Sequence, residues 1–265
     1  FGTNGKTEAL ASLIPAPRTL LPLSDGKFFV GGSSLYQKTR LLVVKFTENG
    51  FLDITYSPSK GYDTLSFKGY PTTSTAIARQ STGKIVAAGF HLNANPFFWK
   101  NTLARFNVNG GPDLTFGTGN GIALPSVADT FEFCQSLAVL PDDKILLGGS
   151  CVRQGKSMPF LMRCAANGSP DPAFGANGVR YYDGLSIEGF DLLAVLPNGS
   201  ILAHTFDNQL LRLSANGALD AAYGQNGILK LRQNQRDYNG FGLSYPFPRD
   251  LALYADGSAA VATGV

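Results

Sequence analysis

AVLPDDKILLGG, residues 138–149, is the stretch whose reading decides the fold. Two short apolar runs flank Pro141-Asp142-Asp143, and such runs around a Pro/Asp turn make a β-hairpin. The order Leu-Pro-Asp-Asp suits a type I turn followed by a left-handed residue, a three-residue connection. Asp143 then takes the left-handed position, which Asp tolerates better than most residues. Ile145-Leu146-Leu147 are apolar at consecutive positions, as in a strand covered on both faces.

The hairpin recurs as LPLSDGKFFVGG (21–32), ARQSTGKIVAAG (78–89), AVLPNGSILA (194–203) and ALYADGSAAVA (252–262), with Gly26, Gly83, Gly199 and Gly257 in the left-handed position. A third apolar run follows, at Leu41–Phe46, Leu103–Phe106, Phe160–Cys164 and Leu210–Leu213. Each ends in a turn signal: Asn49-Gly50, Asn109-Gly110, Asn167-Gly168 and Asn216-Gly217. Next comes an aromatic-Gly phrase: FGTGNG at 116–121, FGANG at 174–178, YGQNG at 223–227, FGTNG at 1–5 and a worn YSPSKG at 56–61. In chain order the first aromatics lie 55, 60, 58 and 49 residues apart, so the chain is a tandem array. A more polar fourth run (Tyr62–Phe67, Ile122–Leu124, Val179–Tyr182, Ile228–Leu231) completes each unit.

Four short strands per unit describe a propeller blade. The expected fold is all-β, a single β-propeller domain over residues 1–265 with four-stranded antiparallel blades. Its five visible units run over 1–61, 62–121, 122–178, 179–227 and 228–265, the last incomplete. Lys6–Leu10 supplies a further fourth strand at the start. Because an open propeller exposes strand edges, the chain is expected to be a fragment, with further repeats of the same polypeptide beside it.

One pair keeps its spacing of eight: Lys45 and Asp53, Arg105 and Asp113, Arg163 and Asp171, Arg212 and Asp220. A cation on the third strand and a carboxylate in the following turn can close that turn by a charge-assisted hydrogen bond. Recurrence with the repeat favours a structural role over a ligand site in each blade. The motifs φ-x-P-D-G-K-I-x-x-x-G, A-R-[FL]-N-x-N-G-x-x-D and F-G-x-N-G together resemble the delta-60 repeat family of bacterial proteins, most fully from Ala78 to Gly178. That resemblance implies β-propellers in large secreted or surface proteins, and it carries no agreed activity or catalytic residue.

Composition narrows the function classes. Apolar residues make up 44% of the chain, ample for a core, and charged residues only 15%. A net charge of +3 without runs of like charge gives no electrostatic case for nucleic acid. No apolar stretch approaches the ~18 residues of a membrane span. A low-charge surface rich in Gly, Asn, Ser and Thr leans towards an extracellular, periplasmic or cell-surface location. Three cysteines, Cys134, Cys151 and Cys164, are an odd number, so one at least is unpaired within the chain. A three-residue loop places Cys134 opposite Ser150, and all three thiols are expected buried and reduced.

Sites are expected where loops vary, at the end of the sheets away from the tight turns. FHLNANPFFWKN, residues 90–101, brings His91, Phe97, Phe98, Trp99 and Lys100 together. Aromatics beside a cation suit stacking on a sugar or anchoring a protein, unless they wedge between blades. The link after Leu231 carries Arg232, Arg236 and Tyr238, an anion-binding pattern or a solvated loop. His204 stands where other units have Gly31, Ala88, Gly148 and Ala262, so it lines the central channel or sits hydrogen-bonded in the core. No Cys/His/carboxylate spacing resembles a zinc site, and GxGxG at Gly117–Gly121 precedes a strand, so the dinucleotide reading fails. No metal, cofactor or catalytic set is expected. The first functional expectation is a non-catalytic scaffold binding a protein or glycan; the alternatives are a propeller hydrolase or lyase with a channel-mouth site, or a purely structural module.

Overall fold

The structure, a computed structural model, describes residues 2, 16–34, 39–128, 130–231, 248–253 and 259–263. The strand expected at Lys6–Leu10 lies outside the described residues, as do Arg232, Arg236 and Tyr238. Among the described residues the chain is all-β but for one short helix, Ser57–Lys60.

The strands fall into sets of four. The first is β1 (Ala16–Pro22), β2 (Phe28–Ser34), β3 (Arg40–Phe46) and β4 (Tyr62–Leu65), antiparallel and adjacent in chain order. The second is β5 (Thr72–Arg79), β6 (Ile85–Ala94), β7 (Phe97–Phe106) and β8 (Ile122–Ala123). The third is β9 (Phe131–Val139), β10 (Ile145–Arg153), β11 (Lys156–Cys164) and β12 (Val179–Tyr181); the fourth is β13 (Phe190–Val195), β14 (Ile201–Thr205), β15 (Gln209–Leu213) and β16 (Ile228–Lys230). A hairpin, β17 (Pro248–Leu253) and β18 (Ala259–Thr263), follows. The second and third sets are not separate sheets, because β7 joins β9 in parallel at Trp99–Phe131.

Turn chemistry builds the first hairpins as the residues require. Leu140 N donates to Lys144 O and Asp143 N to Leu140 O, each at 2.9 Å, and Asp143 has φ 63° beside 81–84° at Gly26, Gly83 and Gly199. Every first strand also carries a bulge that sequence reasoning missed. The extra residues are Arg18, Thr75, Gln135, Asp191 and Arg249. A bulge places two residues opposite one and shifts all pairing beyond it. Cys134 therefore faces Gly149 rather than Ser150, and Cys151 faces Glu132. All three cysteines are free and buried, and burial pushes each thiol up to about 12, which leaves them inert at neutral pH.

Consecutive apolar residues are explained by packing. Ile85 and Ala87 join a core with Leu41, Val43 and Tyr56 of the first unit, whereas Val86 and Ala88 join one with Ile145, Leu147 and Met162 of the third set. Leu146 and Leu161 then meet Ile201, Ala203 and Leu211 of the fourth. Each core lies between neighbouring sets, so an inner strand needs two apolar faces. First strands pack on first strands in chain order: β1 on β5, β5 on β9, β9 on β13, β13 on β17. Ile77 and Leu137 are covered in this way, but Leu20, at the same register position in β1, is 64% exposed.

Candidate functional site

The repeated cation–carboxylate pairs sit at the tight-turn end. Arg105 Nε donates to Asp113 Oδ2 at 2.7 Å, Arg163 to Asp171 at 2.8 Å and Arg212 to Asp220 at 2.7 Å. Each guanidinium also lies over the aromatic of its own phrase, 4.6 Å from Phe116, 4.8 Å from Phe174 and 4.9 Å from Tyr223. A second cation, from just past the tight turn, reaches three of the carboxylates: Lys27 at Asp53, Lys84 at Asp113 and Lys144 at Asp171. In the first unit Lys45 stands for the arginine, 3.5 Å from Asp53.

The arginines further reach the following unit. Arg105 donates to Ala166 O and Arg163 to Ala215 O, both in the next Asn-Gly turn. The phrases do likewise: Gly2 N donates to Asn49 O, Ser57 N to Asn109 O and Gly117 N to Asn167 O. Phe116 fills the space over Gly168 and Phe174 that over Gly217, where no Cβ fits.

These contacts set an acid limit. Burial opposes ionisation of Asp53, yet hydrogen bonds from Thr55 and Lys27 outweigh it and hold the carboxyl at about 2. Asp113 and Asp171 are also lowered: burial again opposes, and donors including Lys84, Thr115 and Arg105, or Ala173 N and Arg163, prevail. A carboxyl depressed on folding stabilises the fold above its unfolded value of ~3.9, and that contribution disappears as pH falls through the folded value. The urea midpoint is expected to be flat from about pH 5 to 7 and to fall steadily from about pH 4 towards 2. An equal midpoint at pH 3 and pH 7 would show that the carboxylates contribute nothing.

At the opposite end, the β6–β7 hairpin extends beyond its neighbours and lays its tip along β9. Trp99 N donates to Thr130 O at 3.1 Å. β10 holds one edge of β9, so the hairpin takes the other. Trp99, Phe97 and Phe90 thereby meet Phe131 and Phe133. Centroids are 5.1 Å apart for Phe90–Trp99, 5.5 Å for Phe90–Phe133, 5.9 Å for Trp99–Phe133 and 5.9 Å for Phe97–Phe131. Phe97 is 59% exposed and the other four rings are half-buried. Trp99 is thus neither open on the surface nor sealed between sets.

The remaining residues of the loop divide from this patch. His91 is buried, stacked on Tyr70 at 5.9 Å and packed against Phe67 and Phe98, with Nδ1 2.8 Å from Thr102 Oγ1. Burial lowers its basicity. Lys100, expected as a cation beside the aromatics, is spent on Glu132, whose Oε1 lies 2.8 Å from Nζ. Glu132 is fully buried and also accepts from Ser126 Oγ (2.7 Å), Val127 N (3.1 Å), Ala128 N (2.9 Å) and Asn101 N (3.2 Å). It clamps the second-to-third link against the hairpin, and nothing in the sequence singled it out.

His204 is fully buried. Its Nδ1 lies 2.8 Å from Oδ1 of Asp191, the bulge residue of β13, and its Nε2 lies 3.1 Å from Asn208 Oδ1. The ring is thus fully buried, with a polar partner within hydrogen-bond distance of each nitrogen. Among the described residues no group of His, Cys, Asp and Glu is placed to hold a metal ion, and no helix is long and apolar enough to cross a membrane.

Comparison with known proteins supports the architecture. Residues 23–55 and 140–174 match the family described as "Domain of unknown function (DUF5122) beta-propeller". Both segments run from a tight first turn through the third strand to the Asp turn, so the match supports a propeller-type repeat. Hydrazine synthase of Kuenenia stuttgartiensis is similar in fold, with 12% identity and a TM-score of 0.55 over 95% of this chain and 36% of that one. The chain thus spans little more than a third of that structure. An endo-arabinase from Bacteroides thetaiotaomicron VPI-5482 aligns with a TM-score of 0.39 and 11% identity over 83% of this chain and 75% of its own. PorZ, a bacterial surface component of the type-IX secretion system of Porphyromonas gingivalis, aligns with a TM-score of 0.39 and 11% identity over 80% and 28%. No curated protein matches the chain.

Proposed function

We propose that the chain is a non-catalytic binding scaffold that engages a protein or glycan through the end of the sheets opposite the tight turns. One observation carries this reading: five aromatic rings, none fully buried, converge where the β6–β7 hairpin meets β9. Rings held by two sets keep their geometry without a ligand, so binding loses little conformational entropy. Stacking on a sugar face, or anchoring a partner's apolar residue, is what such a platform does.

In the same reading the four-stranded sets are blades of a propeller, the repeat is of the delta-60 type, and the protein works outside the cytoplasm or at the cell surface. Further repeats are the cover assigned to Leu20. Arg105, Arg163 and Arg212 with their aspartates serve architecture rather than ligand. The hydrolase or lyase alternative would rest on His204, which has the Asp191 carboxylate 2.8 Å from Nδ1 but whose ring is fully buried.

The test is a glycan array and a protein pull-down, run with wild type, Phe97→Ala and Trp99→Ala. Binding is expected to weaken at least about tenfold in both variants, the usual scale for a central aromatic anchor. Phe97 is 59% exposed, so its truncation separates binding from stability. Full binding by both variants would overturn the reading.

A further inference from the structure

Asn-Gly pairs occur eight times among the described residues, and all eight asparagines are exposed. In seven of them the glycine N–H is tied to a backbone carbonyl of its own turn. Gly50, Gly110, Gly168 and Gly217 donate three residues back at 2.8–3.0 Å, and Gly199 does the same in a tight turn at 2.9 Å. Gly178 and Gly227 donate four residues back, to Phe174 O at 2.9 Å and Tyr223 O at 2.7 Å. The eighth, Gly121, has no acceptor among the described residues.

The exception follows from one extra residue. The second unit reads FGTGNG (116–121) where the third and fourth read FGANG and YGQNG, so Gly121 lies one position further from its aromatic. Gly119 N takes Phe116 O at 3.3 Å, and Gly121 N is left over. The first unit has the same spacing, but there the helix Ser57–Lys60 brings Gly61 N to Tyr56 O at 2.8 Å. Gly121 is buried, as are Gly178 and Gly227, so exposure does not separate the three; the missing bond does. Asn120 Oδ1 accepts from Ile122 N at 3.1 Å, which folds the side chain over the amide between them. Asn167 and Asn198 make the same turn over an amide already engaged.

We infer that Asn120 is a site of self-modification, converting through a cyclic imide to aspartate and isoaspartate. The nucleophile is the Gly121 nitrogen after loss of its proton. It bonds to Asn120 Cγ, the Cγ–Nδ2 bond breaks, and Nδ2 leaves as ammonia with that proton. Water, the one co-reactant, then opens the ring. Cleavage at Cγ gives aspartate in an unchanged main chain; cleavage at the main-chain carbonyl carbon gives an isoaspartyl link. Glycine sets no Cβ in the path of attack. A hydrogen-bonded amide must first give up its acceptor, and that requirement protects the other seven pairs. The site does not rest on the aromatic platform.

Peptide mapping by mass spectrometry, after storage of the folded chain at mildly alkaline pH, tests the inference. Trypsin releases residues 106–144 as one peptide that carries both Asn109 and Asn120, so every sample holds its own control. Digestion in heavy-oxygen water marks any conversion that follows unfolding. In the folded protein Asn120 is expected to convert at least about fivefold faster than any of the other seven, the factor that one amide hydrogen bond supplies. In urea the gap between Asn109 and Asn120 should nearly close. Deleting Gly119 restores the shorter phrase and should slow Asn120 to the rate of Asn177, with the melting temperature showing that the variant is folded. If that variant does not fold, the comparison of folded and urea-unfolded wild type decides alone. Conversion at Asn120 no faster than at Asn109 in the folded protein, faster conversion at any of the other seven, a gap as wide in urea, or a folded deletion variant that converts as fast as wild type would each overturn the assignment.

Discussion

Arg105→Met is expected to lower the unfolding free energy by about 3–5 kcal/mol, the usual cost of removing one partner from a buried ion pair. Arg105 is only 7% exposed and joins several groups at once. It holds Asp113, contacts Gln80 Oε1 at 3.1 Å, reaches Ala166 O in the next unit and covers the Phe116 ring. Methionine keeps the apolar stem, so the loss reports the guanidinium rather than a cavity. Lys84 still meets Asp113 at 2.8 Å and keeps the carboxylate from being wholly unpaired, which favours the lower half of the range. Urea denaturation of the purified variant measures the effect. A wild-type midpoint combined with lost ligand binding would turn the pair from an architectural device into a ligand site.

Glu132→Ala should cost a similar amount, about 3–5 kcal/mol. Its carboxylate accepts from one ammonium, one hydroxyl and three backbone amides, and it is fully buried. Alanine would leave the buried Asn101 and Val127 amides unpaired and the Lys100 charge without its carboxylate partner. The hairpin tip would loosen with them, since Lys100 and Asn101 stand next to Trp99. The chain has a single Trp, so its emission reports that tip directly. A lower melting temperature is expected together with a red shift of the emission. An unshifted spectrum at full stability would mean that the hairpin is held without Glu132.

Much of the architecture was legible because it rests on local chemistry. The tight turns need a left-handed residue, and Gly26, Gly83, Gly199 and Asp143 supply one. Apolar residues at adjacent positions, such as Ile85 and Val86, announce strands covered on both sides, and the cores between sets are that cover. The arginine–aspartate pairs showed because both partners recur at fixed spacing. Interactions that occur once left no such trace. The bulge at Gln135 has no signature in the residues around it, and it moved Cys134 off Ser150. Lys100 read as a free cation because its partner lies 32 residues away in another set. The parallel join of β7 to β9 was hidden for the same reason: it depends on the reach of one hairpin, not on a motif. Only the sum of these places Trp99 in a half-buried platform.

The clasp between aromatic phrase and Asn-Gly turn has a direction. Gly2, Ser57 and Gly117 each hold the turn that comes after them in the chain, 47, 52 and 50 residues later, as their partners Asn49, Asn109 and Asn167 show. On a polypeptide growing from its N-terminus, the ring of one unit therefore waits for its roof until the next has left the ribosome. Burial trails synthesis by one module, and the newest phrase is always the greasy one.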